Sequence, residues 1–471
     1  MPGTGSRITL LLGTLVVAAC GGSNAGTPAS TGQTGSGGTP GSGGAATGGA
    51  AANPPPGGTG GAAANPPPGG TGGATTNPPP GGTGGANPAG ATGGATVGTG
   101  GSTNGTGGST TGTTGGIGGS VTAAGGRSGG AGAGVGGGTI VGPPLAGSSG
   151  TDPGTEGDGD FMAGPTYALA SDLTSKGNPQ GKTFSLSLPS ANSKIFTGMD
   201  ATLTAPTTFT RSINVYIPAK YKDGTPAPLM VVQDGGGTPF VLIKAALDNL
   251  TIETDPARRL PAFVAISVSS GGGDGKGSER GLEYDTMSDK YARYIDTEVL
   301  PAIASNAAIK AAYPNFSFTK DPEGRGAAGC SSGAAAAFTM AWLAPNLFRK
   351  AIAYSATLVA QQADNAPEKA MYPDGAWDYH SDLSLIANTT PNLPVRIFHN
   401  ANEMDNGYMN PESGKHNWLM AGQRTAAAFK AKGYHYRFVL GLGLGHCDQQ
   451  VQRATMADAL LWLWRGYPTG P

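Results

Sequence analysis

The first third of the sequence lacks almost everything a packed domain needs. No Phe, Trp or Tyr occurs before Phe161, and Arg127 is the one charged residue between Cys20 and Asp152. Such a stretch cannot bury enough apolar surface to offset the entropy of ordering it, so residues 21–160 are predicted to be a disordered linker. Charge is scarce elsewhere too. Lys and Arg number 29 against 30 Asp and Glu, for a formal net charge of −1. No basic patch stands out, which argues against nucleic acid as a partner. Nothing after the N-terminus approaches the ~20 consecutive apolar residues of a membrane-spanning helix. Cysteine is limited to three residues, Cys20, Cys330 and Cys447. No further Cys or His stands at ligand spacing around the last two, so neither a metal nor another cofactor is expected.

What is present begins with a signal. Arg7 gives a weakly positive start, and Ile8 to Ala19 is a short apolar run ending Val17-Ala18-Ala19-Cys20-Gly21-Gly22. The run is too short to span a bilayer as a stable helix. Small residues before a Cys, at the point where the apolar run stops, resemble the lipobox of bacterial lipoproteins. Residues 1–20 are therefore expected to be a signal peptide with Cys20 as the lipidation site. That puts the protein outside the cytoplasm, held to a bacterial membrane (outer membrane or cell surface) by its lipid. An ordinary secretory signal with an incidental Cys is the alternative. Beyond it, Asn-Pro-Pro-Pro-Gly-Gly-Thr-Gly-Gly-Ala recurs from Asn53, Asn65 and Asn77. The unit has no apolar face to stack as a solenoid would. Gly-rich coil with short polyproline pieces makes a spacer, and about 140 such residues reach roughly 65 Å.

Residues 161–471 read as one α/β domain. Strand-like runs occur at Thr183–Leu188, Ile213–Ile217, Leu229–Gln233, Phe263–Val268, Lys350–Tyr354, Val395–Phe398 and His435–Leu440. Several are continuously apolar, as strands covered on both faces are. Helical patterns fall at Ser288–Leu300, Ala334–Leu343, Trp418–Lys432 and Val451–Trp464. The alternation predicts a mostly parallel central sheet with helices on both faces, the α/β-hydrolase arrangement.

Gly329-Cys330-Ser331-Ser332-Gly333 matches the G-x-S-x-G nucleophile elbow. The glycines let a strand and a helix approach closely while the Ser331 hydroxyl stands clear on a sharp turn. In a chain this rich in Gly and Ser the motif alone is weak; it gains weight from the strand-like stretch before it and the apolar helix after it. Ser332 N–H is then one candidate oxyanion donor, and Gly235, in the loop Gln233-Asp-Gly-Gly-Gly237, is the second. The order nucleophile, acid, base and a place between the last strand and the closing helix select His446 from the five histidines. Asp405 follows the Val395–Phe398 strand and is the expected acid, with Glu403 as the alternative. Cys330 precedes Ser331 and Cys447 follows His446. If the hydroxyl and imidazole meet, their neighbours come within disulfide reach in an oxidising compartment, which predicts a Cys330–Cys447 bridge.

Over Asp172–Pro468 the chain resembles the enterochelin-esterase-like, or esterase D, family of α/β-hydrolases. The resemblance lies in Val215-Tyr-Ile-Pro-Ala-Lys-Tyr221, Gln233-Asp-Gly235, Arg280-Gly-Leu-Glu-Tyr-Asp285, the elbow, Asp405-Asn-Gly407, Gly445-His446 and Trp462-Leu-Trp-Arg-Gly-Tyr-Pro468. It implies hydrolysis of carboxylic esters, with relatives acting on siderophores and on acylated or feruloylated carbohydrates. In that family the acid loop often reads Gly-x-x-Asp; here Asn402 stands at the Gly. Cys330-Ser331 with His446-Cys447 also resembles the CS-D-HC arrangement of tannases and fungal feruloyl esterases. Arg280 and Glu283 match a family stretch and either line the cleft or form a structural ion-pair cluster. The expected activity is a serine esterase with an ester substrate as its partner. The rivals are a surface-tethered binding module without catalysis, and a thioesterase, peptidase or acyltransferase using the same triad. Gln361–Leu393 is the segment expected to act as a lid over the substrate. Nothing in the sequence sets an oligomeric state.

Overall fold

Short apolar runs too brief for helices become strands when helices cover both their faces. The computed structural model of the protein describes residues 147–470; the signal segment, Cys20 and residues 21–146 lie outside them. Among the described residues, nine strands form one sheet: β1 (Gly159–Ala163), β2 (Lys182–Pro189), β3 (Thr210–Ile217), β4 (Leu229–Gln233), β5 (Val264–Val268), β6 (Arg325–Cys330), β7 (Lys350–Tyr354), β8 (Arg396–Met404) and β9 (His435–Gly445). The spatial order is β1-β9-β8-β7-β6-β4-β5-β3-β2. The strands from β1 to β5 in that order pair in parallel, while β3 runs antiparallel to β5 and to β2. This is the mostly parallel α/β-hydrolase sheet that the apolar runs implied.

Side chains alternate across the sheet with period two. On one face Val231, Ala327, Ala351 and Ile397 meet Phe338 and Trp342. On the other, Met230, Val232, Ala328, Ile352 and Phe398 meet Phe240, Ile243, Leu247, Leu460 and Leu463. The covering helices include α1 (Thr238–Leu250), α2 (Glu279–Tyr284), α3 (Lys290–Tyr294), α4 (Leu300–Ala304), α5 (Ser332–Leu343), α6 (Trp418–Lys432) and α7 (Gln449–Trp464). No helix among the described residues is long and apolar enough to cross a membrane.

Three expectations are corrected. The helical pattern expected over Ser288–Leu300 runs on to Ala304. A π-helical turn at Ile295–Val299 joins α3 to α4, and Pro301 sits in the first turn of α4, where its missing N–H is tolerated. The domain also starts earlier than residue 161. Residues before it fold onto β9 and α7: the Asp158 carboxylate accepts from Trp462 Nε1 at 2.9 Å and pairs with His435 at 2.7 Å, and Asp160 accepts from the Tyr436 hydroxyl. Composition placed the 160/161 boundary inside β1 because the anchors there are polar. Finally, Gln361–Leu393 is not a loose cover, since Trp377 and Tyr379 within it are buried in the main core.

Candidate active site

The chain turns from β6 into α5 at Ser331 with φ 59° and ψ −131°. A side chain at Gly329 would meet the Gly333 backbone at 2.4 Å, so this crossing requires glycine. Ser331 N–H donates to Tyr354 O, tying the elbow to β7. Seven described residues other than glycine have left-handed φ, and four border this region: Asp234, Ser331, Ser355 and Cys447. Backbone strain of this kind persists only where the surroundings over-determine it.

His446 Nε2 lies 2.9 Å from Ser331 Oγ, and His446 Nδ1 lies 2.5 Å from Asp405 Oδ1. Asp405 is buried and also accepts from the backbone N–H groups of Asn402 and Asn406, at 3.0 and 2.9 Å. Burial works to raise its pKa. The hydrogen bond and charge of His446, the Asn402 N–H and the Ser355 hydroxyl outweigh it and hold Asp405 below the usual carboxylate value. Glu403 faces elsewhere, its carboxylate accepting from Gly443 N–H at 2.8 Å. Cys330 and Cys447 are joined by a disulfide with their Cα atoms 5.9 Å apart.

The two oxyanion candidates differ. Ser332 N–H belongs to the first turn of α5, whose amides have no partner within the helix. Gly235 is a correction: its N–H donates to Val268 O at 3.1 Å, because the left-handed turn at φ 77° that leads out of β4 closes against the end of β5. Asp234 nevertheless stays beside the elbow, where a side chain at Gly333 would touch its carboxylate at 2.8 Å.

Arg280 is bidentate to Asp234, at 2.8 and 2.9 Å, and reaches Asp274 at 2.9 Å, so it stitches α2 to the loop after β4. Glu283 does not line a cleft. It is buried, pairs with Arg211 at 2.6 Å and accepts from Gly271 N–H. Asp285 is buried beside Ser332. Burial is the main cause that pushes it up to about 7, against the Ser332 hydroxyl and Arg280, which act to lower it.

Several residues around the site carried no sequence signature of the contacts they make there. Ser355 Oγ accepts from Cys447 N–H at 3.1 Å, and its hydroxyl acts on Asp405, so it braces Asp405 and the segment after His446 together. Asn402 donates from Nδ2 to Gly445 O at 2.6 Å. A side chain at Gly441 would collide with Asn402 Oδ1 at 2.2 Å, which explains the glycine opposite it. Trp418 stands edge-on to the His446 ring, centroids 6.0 Å apart, and its Nε1 donates to Thr357 Oγ1 at 3.3 Å. Thr357 Oγ1 in turn lies 3.4 Å from Ser331 Oγ. Chemically, this line of groups can pass a proton from a hydroxyl to an imidazole held by a buried carboxylate.

Residues 207–463, more than half of the chain, match the family model described as putative esterase. The chain belongs to that family. It is an esterase, a hydrolase of carboxylic esters. A search of curated proteins returned no match to this esterase. Among solved structures it is similar to a ferulic acid esterase at 16% identity, covering 61% of this chain and 99% of that one, with a TM-score of 0.42. It is similar to the enterochelin esterase from Shigella flexneri at 19% identity, over 54% of this chain and 55% of that one, with a TM-score of 0.37. A CE1 ferulic acid esterase from Anaeromyces mucronatus, in complex with ferulic acid, shares 10% identity over 64% of this chain and 98% of that one, with a TM-score of 0.42.

Proposed function

We propose that the esterase works through Ser331, His446 and Asp405 by way of an acyl-enzyme, outside the cytoplasm. The observation that carries the reading is the continuous hydrogen-bonded line from Asp405 Oδ1 through His446 to Ser331 Oγ. His446 Nε2 takes the Ser331 proton as Oγ attacks the ester carbonyl. The Ser332 N–H holds the oxygen that gains charge. His446 then gives its proton to the departing alkoxide oxygen as the C–O bond breaks. Water, deprotonated by the same nitrogen, attacks the acyl-Ser331 carbonyl; the acyl–Oγ bond then breaks, His446 returns the proton to Ser331 Oγ, and the carboxylic acid leaves. Asp405 orients the imidazole and stabilises its protonated form without itself taking the proton.

The small residues before Cys20 support lipid anchorage, and the Gly-rich stretch that follows then acts as a spacer in front of the folded domain. An enzyme held on such a spacer suits esters met at the cell surface. We assign it acyl or feruloyl esters of carbohydrates, or siderophore esters. The test is Ser331→Ala against a panel of acetyl, feruloyl and siderophore esters beside thioester and amide substrates. Turnover of the preferred ester should fall by on the order of 10⁴–10⁶. A variant that keeps near-normal hydrolysis removes Ser331 from the mechanism. A preference for thioesters or amides in the unmutated chain removes the substrate class.

A further inference from the structure

The triad does not account for every polar contact that ends on Ser331. Thr357 lies just beyond β7 and is 1% exposed. Its N–H donates to Ser331 O at 3.2 Å, which fixes it against the elbow. Its Oγ1 lies 3.4 Å from Ser331 Oγ and accepts from Trp418 Nε1 at 3.3 Å. Trp418, the first residue of α6, is held in turn by its own N–H, which donates to Asn406 O at 3.1 Å in the loop after Asp405.

The groups at the two ends set the direction of every bond between them. An indole N–H only donates, and an ionised carboxylate only accepts. Asp405 therefore takes the Nδ1 hydrogen of His446, at 2.5 Å, which leaves Nε2 bare. Nε2 takes the Ser331 hydrogen at 2.9 Å. Ser331 Oγ has then given its one hydrogen away, so toward Thr357 it can only accept. Thr357 Oγ1 accepts from Trp418 and directs its own hydrogen at Ser331 Oγ. Each group donates to the next, from Trp418 through Thr357, Ser331 and His446 to Asp405. Bonds in such a line polarise one another. At 3.4 Å the step between the two hydroxyls is long. A contact of this kind tightens when charge develops on the accepting oxygen.

We propose that Thr357 is a further catalytic residue, donating a hydrogen bond to Ser331 Oγ while that oxygen carries charge, and that Trp418 is a positioning residue that turns the Thr357 hydroxyl toward it. The proposal rests on Ser331 as the nucleophile. Charge builds on Oγ twice. It builds as His446 removes the proton ahead of the new C–O bond. It builds again as the acyl–Oγ bond breaks and the electron pair returns to Oγ, before His446 restores the proton. Thr357 keeps its own proton in both steps. In the acyl-enzyme Oγ is an ester oxygen and a weak acceptor, so the bond is strongest in the transition states, the condition for raising kcat rather than lowering KM.

The experiment is steady-state hydrolysis of para-nitrophenyl acetate by the full chain, with Tm recorded for each variant. Thr357→Val keeps the shape and removes the hydroxyl. Its kcat should fall roughly 10–100-fold with KM within about twofold, the range for one hydrogen bond to a charged oxygen. Thr357→Ser, which restores the hydroxyl, should recover kcat to within about threefold of the parent. Trp418→Phe, which keeps a ring beside His446, should lower kcat by roughly threefold to tenfold, and adding it to Thr357→Val should lower kcat no further. An unchanged kcat in Thr357→Val overturns the proposal. So does a Thr357→Ser variant as slow as Thr357→Val, which would make the side chain a packing group. Losses that add in the double variant overturn the role of Trp418. If Thr357→Val does not fold, Trp418→Phe decides, and an unchanged kcat there overturns the proposal. Ser331→Ala keeps the two readings apart. If it stays active, the nucleophile itself is lost; if it is inactive beside an unchanged Thr357→Val, only the role of Thr357 falls.

Discussion

Replacing both cysteines of the disulfide, Cys330→Ala with Cys447→Ala, should cost stability and turnover together. The bridge joins positions 117 residues apart. Cross-linking a loop of that length removes about 16 cal/mol/K of entropy from the unfolded chain, which is about 5 kcal/mol at 25 °C. That figure is an upper bound, because unfolded chains retain structure. For a domain of this size it corresponds to a fall in Tm of up to about 10 °C. The kinetic effect has a separate origin. Cys447 follows His446 directly and holds a left-handed φ of 54°. Without the bridge, the base segment keeps only contacts such as Cys447 N–H to Ser355 Oγ to hold it against β7. A looser imidazole lowers kcat more than it raises KM, by roughly tenfold if one hydrogen bond's worth of positioning, about 1.4 kcal/mol, is lost. The assay is thermal unfolding of the full chain with and without the double substitution, followed by steady-state kinetics on para-nitrophenyl acetate. A variant whose Tm lies within about 2 °C of the parent and whose kcat is unchanged would refute both halves of the reasoning.

Ser355→Ala should lower kcat about tenfold at nearly constant KM, read from the same kinetics; a change confined to Tm would make Ser355 structural only. Asp405→Asn should reduce kcat by on the order of 10³–10⁴, whereas Glu403→Gln should stay within a few-fold of the parent; the reverse order would move the acid to Glu403. Asp285 sits near pH 7 in the folded protein and near 3.8 unfolded. A raised carboxyl gives stability that is fully present below about pH 4 and lost as pH rises through about 7, on the order of 4 kcal/mol. Unfolding followed from pH 4 to 8 should therefore show a steeper loss in the parent than in Asp285→Asn, and parallel curves would contradict the assignment. Asp405 has the opposite sign. Its lowered value gives stability present above the unfolded carboxyl pKa and lost as pH falls through its folded value. Asp405→Asn should accordingly lose less stability than the parent when the unfolding series is extended below pH 4.

The central strands were readable because burial on both faces leaves a continuous apolar run, and Leu229–Gln233 and Lys350–Tyr354 match their runs residue for residue. The elbow was readable because only glycine fits at residue 329 against Gly333. Strand β1 was not, since Asp158 and Asp160 attach it through polar contacts to distant residues. Helix α1 left a signal that went unread: Pro239 in the first turn, then Phe240, Ile243, Leu247 and Leu250 at helical spacing. The direction of a backbone N–H is a tertiary property, so the commitment of Gly235 to Val268 had no trace in sequence. The same holds for Ser355, an ordinary polar residue until the fold brings β7, β8 and β9 together. Glu403 and Asp405 are both acid candidates in sequence; in the fold β8 runs on to Met404, and Asp405 at its tip is the one hydrogen-bonded to His446.

The most direct measurement is covalent labelling of the full chain with a fluorophosphonate, followed by mass mapping of the peptides. One adduct per chain is expected, on Ser331, with labelling greatly slowed in His446→Ala. An adduct on Ser332 or any other residue, or an unlabelled Ser331 in a preparation that still hydrolyses esters, would contradict the assignment of the nucleophile.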